Sequence, residues 1–151
     1  PEVFDTLTDA QKTIMAYETA RNYVFEMTRR AEGLSASFRA ACEAGMRIGR
    51  DTWVDARRRV ADALRLLPDA MRDCDALITP ATRGEAPPIE GGTGDPVMSR
   101  MWTALGTPTI ALPAVRPPGA LPVAVQLVAN PHADARLLAV GAWVARALAA
   151  A

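Results

Sequence analysis

Few residues in this chain have the chemistry of a nucleophile or a base. Ser35, Ser37 and Ser99 are its three serines, Cys42 and Cys74 its two cysteines, Lys12 its one lysine and His132 its one histidine. No serine stands in the Gly-x-Ser-x-Gly turn that lifts a hydrolase nucleophile above a sheet. One histidine excludes a multi-histidine metal centre within a chain, and two cysteines are too few for a Cys-rich zinc site or a disulfide framework. Cys74 and His132 are a thiol and a base of the types that cooperate in covalent catalysis, but nothing in their sequence positions brings them together. Cys42 falls in a helical pattern and reads as a small core residue. His132, within Asn130-Pro131-His132-Ala133-Asp134, reads as a turn or cap residue, and Lys12 as a solvated surface lysine. Gly91, Gly92 and Gly94 lack the Lys-Ser/Thr pair of a phosphate-binding loop. Arg57-Arg58-Arg59 reads as a solvated helix face.

The elements that must position these groups begin with helices. Thr8 followed by Gln11 has the spacing of a capping box. Behind it Ile14, Tyr17, Ala20, Val24 and Met27 recur at helical spacing to about residue 30. After Gly33, Ser35 is placed to cap a second helix carrying Phe38, Ala41 and Cys42 and stopping near Gly45 or Gly49. Asp51 caps a third, with Trp53, Ala56, Val60, Leu64 and Leu67 as its buried stripe and a break at Pro68. Ala76-Leu77-Ile78-Thr79, stopped by Pro80, suits a buried strand. Residues 83–96 hold four glycines and three prolines and form a long loop, a class that is usually functional or disordered in compact domains. Asp95-Pro96 opens a helix with Met98, Met101, Trp102 and Leu105 on one side, and Gly106 ends it. Thr109–Leu112 and Pro122–Ala129 read as two more strands, the second interrupted by Gln126. A turn at 130–133 leads into a final helix from Asp134 to Ala150 that is apolar nearly all round, which implies burial between other elements.

Mixed helices and strands give an α/β layered class. Length predicts one domain. Half of the 151 residues are hydrophobic and 23% are charged, so the chain is globular rather than disordered. Seventeen basic residues balance seventeen acidic ones, so no net field draws it to nucleic acid or to an anionic membrane. No segment is apolar for the length that spans a bilayer, and Pro1-Glu2-Val3-Phe4-Asp5 has neither a basic leader nor a signal core. The plain reading is a soluble cytoplasmic protein. The missing initiator Met fits a processed or partial chain. Three strands with such apolar segments would leave much of their surface uncovered, so residues outside this chain are expected to complete the sheet.

A family pattern runs through these elements. Asp75-Ala76-Leu77-Ile78-Thr79-Pro80-Ala81-Thr82 with Ala86-Pro87, then Leu105-Gly106-Thr107-Pro108-Thr109-Ile110-Ala111-Leu112-Pro113, then Leu121-Pro122-Val123-Ala124-Val125-Gln126-Leu127-Val128 resemble, in order and spacing, three stretches of the amidase signature family. Ala124 stands where that family usually has glycine. Asp134 with Leu137-Leu138, Ile14 to Ala20, and Leu34-Ser35 to Gly45 also fit. The chain as a whole resembles the C-terminal third of an amidase.

The resemblance implies an α/β/α sandwich with a mixed β-sheet, of which residues 1–151 would be the C-terminal portion of a single domain, incomplete alone. It implies amide-bond hydrolysis without metal or cofactor, through a Ser–Ser–Lys triad in a Gly/Ser-rich segment. There one serine attacks the carbonyl, the other relays protons to and from the lysine, and backbone N–H groups stabilise the oxyanion. That segment is not in this sequence. No catalytic residue carries over, and the isolated chain is expected to be inactive. Its contribution would be scaffold and part of the acyl-side pocket. In open α/β sheets ligands sit where strands deliver their carboxyl ends to loops. That points to loop 83–95 and the following helix, with Met98 and Trp102 as an apolar wall and Asp95 and Ser99 as polar contacts. The expected partners are a small-molecule amide, the N-terminal remainder of the amidase and, since homodimers are common in that family, a second copy. The competing expectation is a free-standing, non-catalytic binding or assembly subunit that kept the scaffold. A third is an unrelated hydrolase using Cys74 and His132.

Overall fold

The computed structural model describes residues 1–114 and 116–150. They divide into two compact units, one of residues 2–63 and one of the described residues from 64 to 150 together with Pro1.

The first unit is helical. A 3-10 turn (Glu2–Thr6) leads into α1 (Leu7–Asn22), followed by α2 (Val24–Arg29), α3 (Ala36–Met46) and the start of α4 (Arg50–Ala70). The capping box expected at Thr8 is not formed. Thr8 lies inside α1, whose cap position is Thr6, and the Thr6 hydroxyl donates to the Val3 carbonyl. The preceding 3-10 turn has already supplied the chain direction that a box would set. The single apolar run is split at Tyr23 into α1 and α2. Ser35 caps α3 as its type predicts, accepting from the Phe38 N–H at 3.2 Å. Ser35→Ala should therefore cost about 1 kcal/mol of stability, read as a lower urea midpoint; an unchanged midpoint would mean that water replaces the cap at no cost.

Helices α1 and α3 meet where Gly45 faces Ala16, so closely that a Cβ on Gly45 would lie 2.1 Å from the Ala16 carbonyl oxygen. Arg21 fastens the same place. Its guanidinium donates to the Tyr17, Gly45 and Ile48 carbonyls, closing the C-terminus of α3, and lies 3.3 Å from the Tyr17 ring centroid. Tyr17 stacks on Trp53, whose indole N–H donates to Glu18. Arg58 pairs with Asp55 and Arg57 with Glu18, and Lys12 pairs with Asp9, all solvated surface groups as read from the sequence.

Helix α4 corrects three expectations. It starts at Arg50, so Asp51 sits in its first turn rather than at its cap. Its buried positions are Ala56, Ala63 and Leu67, whereas Leu64 is 36% exposed, because the stripe turns by one residue on the true 3.6-residue period. Pro68 does not break it. Pro68 is exposed in the last turn, where water can take the carbonyl left without a helical donor.

The second unit holds a three-stranded sheet, β1 (Leu77–Pro80), β2 (Thr109–Pro113) and β3 (Ala124–Val128), in the order β1-β3-β2. Both pairings are antiparallel, with Thr79 and Ala111 flanking Gln126 across the sheet. The α/β class holds. In this unit α5 is Val97–Leu105 and α6 is Asp134–Ala149. Helix α6 covers one face through Leu137 and Val140, which pack with Leu112, Leu127 and Ile110. Strand side chains alternate between faces, so Gln126 and Val128 point to the other side, where α5 lies with Trp102 and Leu105 buried.

Two burial expectations are corrected here. β1 is an edge strand with Ile78 60% exposed, not a fully buried one. Likewise α6 buries one face only, leaving Leu138 exposed and Trp143 64% exposed. A three-stranded sheet is too narrow to cover more, and nothing among the described residues of this unit lies over the outer face.

Candidate functional site

Loop 81–96 joins the end of β1 to the start of α5, with one 3-10 turn at Ile89–Gly91. Gly92 and Gly94 adopt left-handed φ values of 76° and 80°, which residues with a Cβ rarely hold. The loop surrounds a concavity of about 620 Å³ lined by Thr82, Glu85, Pro87, Thr93, Asp95 and Pro122, among others. Asp95 closes the loop. Its carboxylate accepts from the Val97 N–H at 3.1 Å and stands 3.8 Å from Arg83 and 4.0 Å from Arg100. Asp95 thus caps α5 from one position before the cap residue Pro96, instead of preceding a first-turn proline. Gly106 ends α5 at φ 64°, with Gly106 N–H bonded to Thr103 and Thr107 N–H to Trp102, the pair of bonds of a Schellman ending.

A second concavity of about 340 Å³ lies beside α5, lined by Ser99, Trp102, Thr103, Thr107, Thr109 and Gln126, with Gly106. Of the four residues expected at a substrate wall, Ser99 and Trp102 therefore share one concavity while Asp95 lines the other. Met98 lines neither, and contributes its backbone carbonyl to the contact described next. Trp102 is only 7% exposed, so most of its ring is core.

Sequence reasoning missed Gln126 as a site residue. It is the single buried polar side chain among the described residues, at 3% exposure. Its amide nitrogen donates to the Thr79 hydroxyl at 2.9 Å and to the Met98 carbonyl at 2.7 Å. The carbonyl can only accept, which fixes the nitrogen on that side. Leaving a buried amide without partners would cost about 1–3 kcal/mol, so these two bonds are what make the residue tolerable in a central strand. The available signal was the polar interruption of an otherwise apolar strand.

The remaining candidates do not form a site. The Cys74 thiol donates to the Met71 carbonyl at 3.6 Å, and its concavity includes Asn130 and Arg136 but not His132. His132 is a turn residue at φ 65°. No group of His, Cys, Asp and Glu able to hold a metal occurs among the described residues, and none of their helices is long and apolar enough to cross a membrane. An apolar groove of about 600 Å³ between β1 and α6, bordered by Ile78 and Trp143, contains none of the four expected site residues.

The sheet between α5 and α6, with a Gly-rich loop leaving its edge strand, is a scaffold similar to that of amidases. The chain is similar to a crystal structure of an amidase with a TM-score of 0.86 and 29% identity, over 96% of this chain and 36% of that one. It is 32% identical over 120 residues to a glutamyl-tRNA(Gln) amidotransferase component of Neisseria gonorrhoeae, covering 72% of this chain and 25% of the relative. A bacterial aryl acylamidase belonging to the amidase signature family has the same fold at a TM-score of 0.59 and 16% identity, over 90% of this chain and 32% of that one. No protein-family model matches the sequence. The chain is amidase-signature-like and corresponds to a C-terminal portion of such a protein. It spans about a quarter of the length of the curated relative.

Proposed function

We propose that this chain is the C-terminal portion of an amide-bond hydrolase whose catalytic Ser–Ser–Lys machinery lies outside residues 1–151. The observation that carries this reading is the extent of the likeness. It runs through 96% of this chain at 29% identity, yet accounts for only 36% of the amidase. The absence of a Gly/Ser-rich segment from the sequence accords with it. In this reading residues 1–151 belong to a single larger domain, and the missing portion completes the sheet. Loop 81–96 and α5 form part of the acyl-side pocket. Asp95 holds the loop closed onto α5, Ser99 offers a hydroxyl, and the exposed edge of Trp102 gives the wall its apolar character, while Met98, expected there too, contributes its backbone carbonyl to Gln126.

The test compares two proteins, the 151-residue chain and the complete product of its gene, for ammonia or amine release from aryl and aliphatic amides. The complete protein should hydrolyse at least one amide without added metal, and the 151-residue chain none above the buffer rate. Hydrolysis by the 151-residue chain alone would defeat the proposal, as would a complete product lacking a serine-rich catalytic segment. A natural product of this length, inactive but bound stably to another protein, would instead support the assembly-subunit reading.

A further inference from the structure

Loop 81–96 leaves the sheet immediately after Thr79-Pro80 and ends at the first residues of α5, Val97 and Met98. One side chain from a third element touches both stems. Gln126, in the middle of the central strand, spends its two amide hydrogens on Thr79 Oγ1 and Met98 O. The Thr79 hydroxyl in turn faces the Pro80 carbonyl at 3.4 Å. The sheet register puts Thr79 directly opposite Gln126 on one side and the small Ala111 opposite it on the other. An apolar side chain would fill this buried place, but it could hold neither stem. Loops of 6–16 residues with adjacent ends are compact units whose geometry depends on how those ends are held.

We infer that Gln126 is a positioning residue. It clasps the two stems of loop 81–96 and thereby sets the height and pitch of α5, and with them the placement of Asp95 in the loop concavity and of Ser99 and Trp102 in the one beside α5. The link from that placement to substrate rests on the amidase reading above; the clasp itself does not. Asp95, bonded to the Val97 N–H and near Arg83, is a weaker second tie across the same base, its ion pair with Arg83 being largely solvent-exposed.

The test uses Gln126→Leu and Thr79→Val in the complete protein, with backbone amide exchange followed by mass spectrometry and with steady-state kinetics. In Gln126→Leu, exchange across 97–105 should rise by roughly tenfold or more while β3 and α6 keep their protection. Thr79→Val, at a half-buried position of the edge strand, removes one arm and should raise exchange in the same segment by a smaller factor. On any amide the complete protein hydrolyses, Gln126→Leu should raise KM by about tenfold and change kcat by less than about threefold. Exchange that rises evenly over the whole sheet unit would overturn the clasp and leave Gln126 as an ordinary core residue. If Gln126→Leu fails to fold, an unaltered 97–105 segment in Thr79→Val would overturn it equally. Selective loosening of α5 in a complete protein that hydrolyses no amide would retain the clasp and reject the amidase reading.

Discussion

Gly45→Ala should destabilise the helical unit of residues 2–63 by about 3 kcal/mol, near the upper end of overpacking costs. Alanine is the better helix former, by about 1 kcal/mol over glycine, so propensity alone predicts the opposite sign. The contact decides. The added Cβ would lie 2.1 Å from the Ala16 oxygen and 2.8 Å from the Ala20 Cβ. The nearer atom is backbone in the middle of α1, so no rotamer change relieves it and α1 and α3 must separate. Separation also pulls Arg21 from the Gly45 and Ile48 carbonyls that it caps. Gly33 is the internal control, since a Cβ there meets nothing within 4 Å, and Gly33→Ala should stay within about 0.5 kcal/mol of the parent. Urea unfolding followed by far-ultraviolet dichroism measures both. Equal midpoints for the two variants would show that the helices do not pack this way.

Trp102→Ala should cost the sheet unit about 3–5 kcal/mol, the range for deleting a large aromatic from a core. The residue is buried, shares a concavity with Thr109 and Gln126, and its carbonyl accepts from the Thr107 N–H that ends α5. A residue standing mainly as an open pocket wall would behave differently: its truncation would alter ligand binding and spare stability. Thermal unfolding separates the two cases. A loss under about 1 kcal/mol would place the ring in the pocket and outside the core.

Much of the site's framework was legible in the sequence because it depends on local chemistry. Ser35 before a helical run, Gly106 after one, and glycines and prolines at 83–96 each dictate backbone behaviour over a few residues, and the structure places a cap, a helix end and a loop there. The three strands were legible for a similar reason, as short apolar runs bounded by prolines. The α1 entry was misread because Thr8 and Gln11 have the right types at the right spacing, yet a 3-10 turn had already begun upstream. Pro68 was misread because its effect depends on how near it stands to the helix end.

Pairwise geometry was not legible. That Gly45 meets Ala16 across a distant stretch of chain, or that Gln126 reaches both Thr79 and Met98, depends on register and on which faces of helices and strands meet. Burial of α6 was overestimated for a related reason. Its all-round apolar pattern records what the segment is suited to cover, while the amount actually covered depends on the width of the sheet present.

By itself the sequence determined the order of helices, strands and loop, the resemblance to one family, and that residues 1–151 hold no Gly/Ser-rich segment, since all three reside in residue type and spacing along the chain. Only the tertiary structure decided which expected site residues share a concavity, that Trp102 is mostly core, and that a buried glutamine joins the two stems of the loop. Those properties arise from contacts between residues far apart in sequence, and such contacts are fixed when elements pack, not when they form.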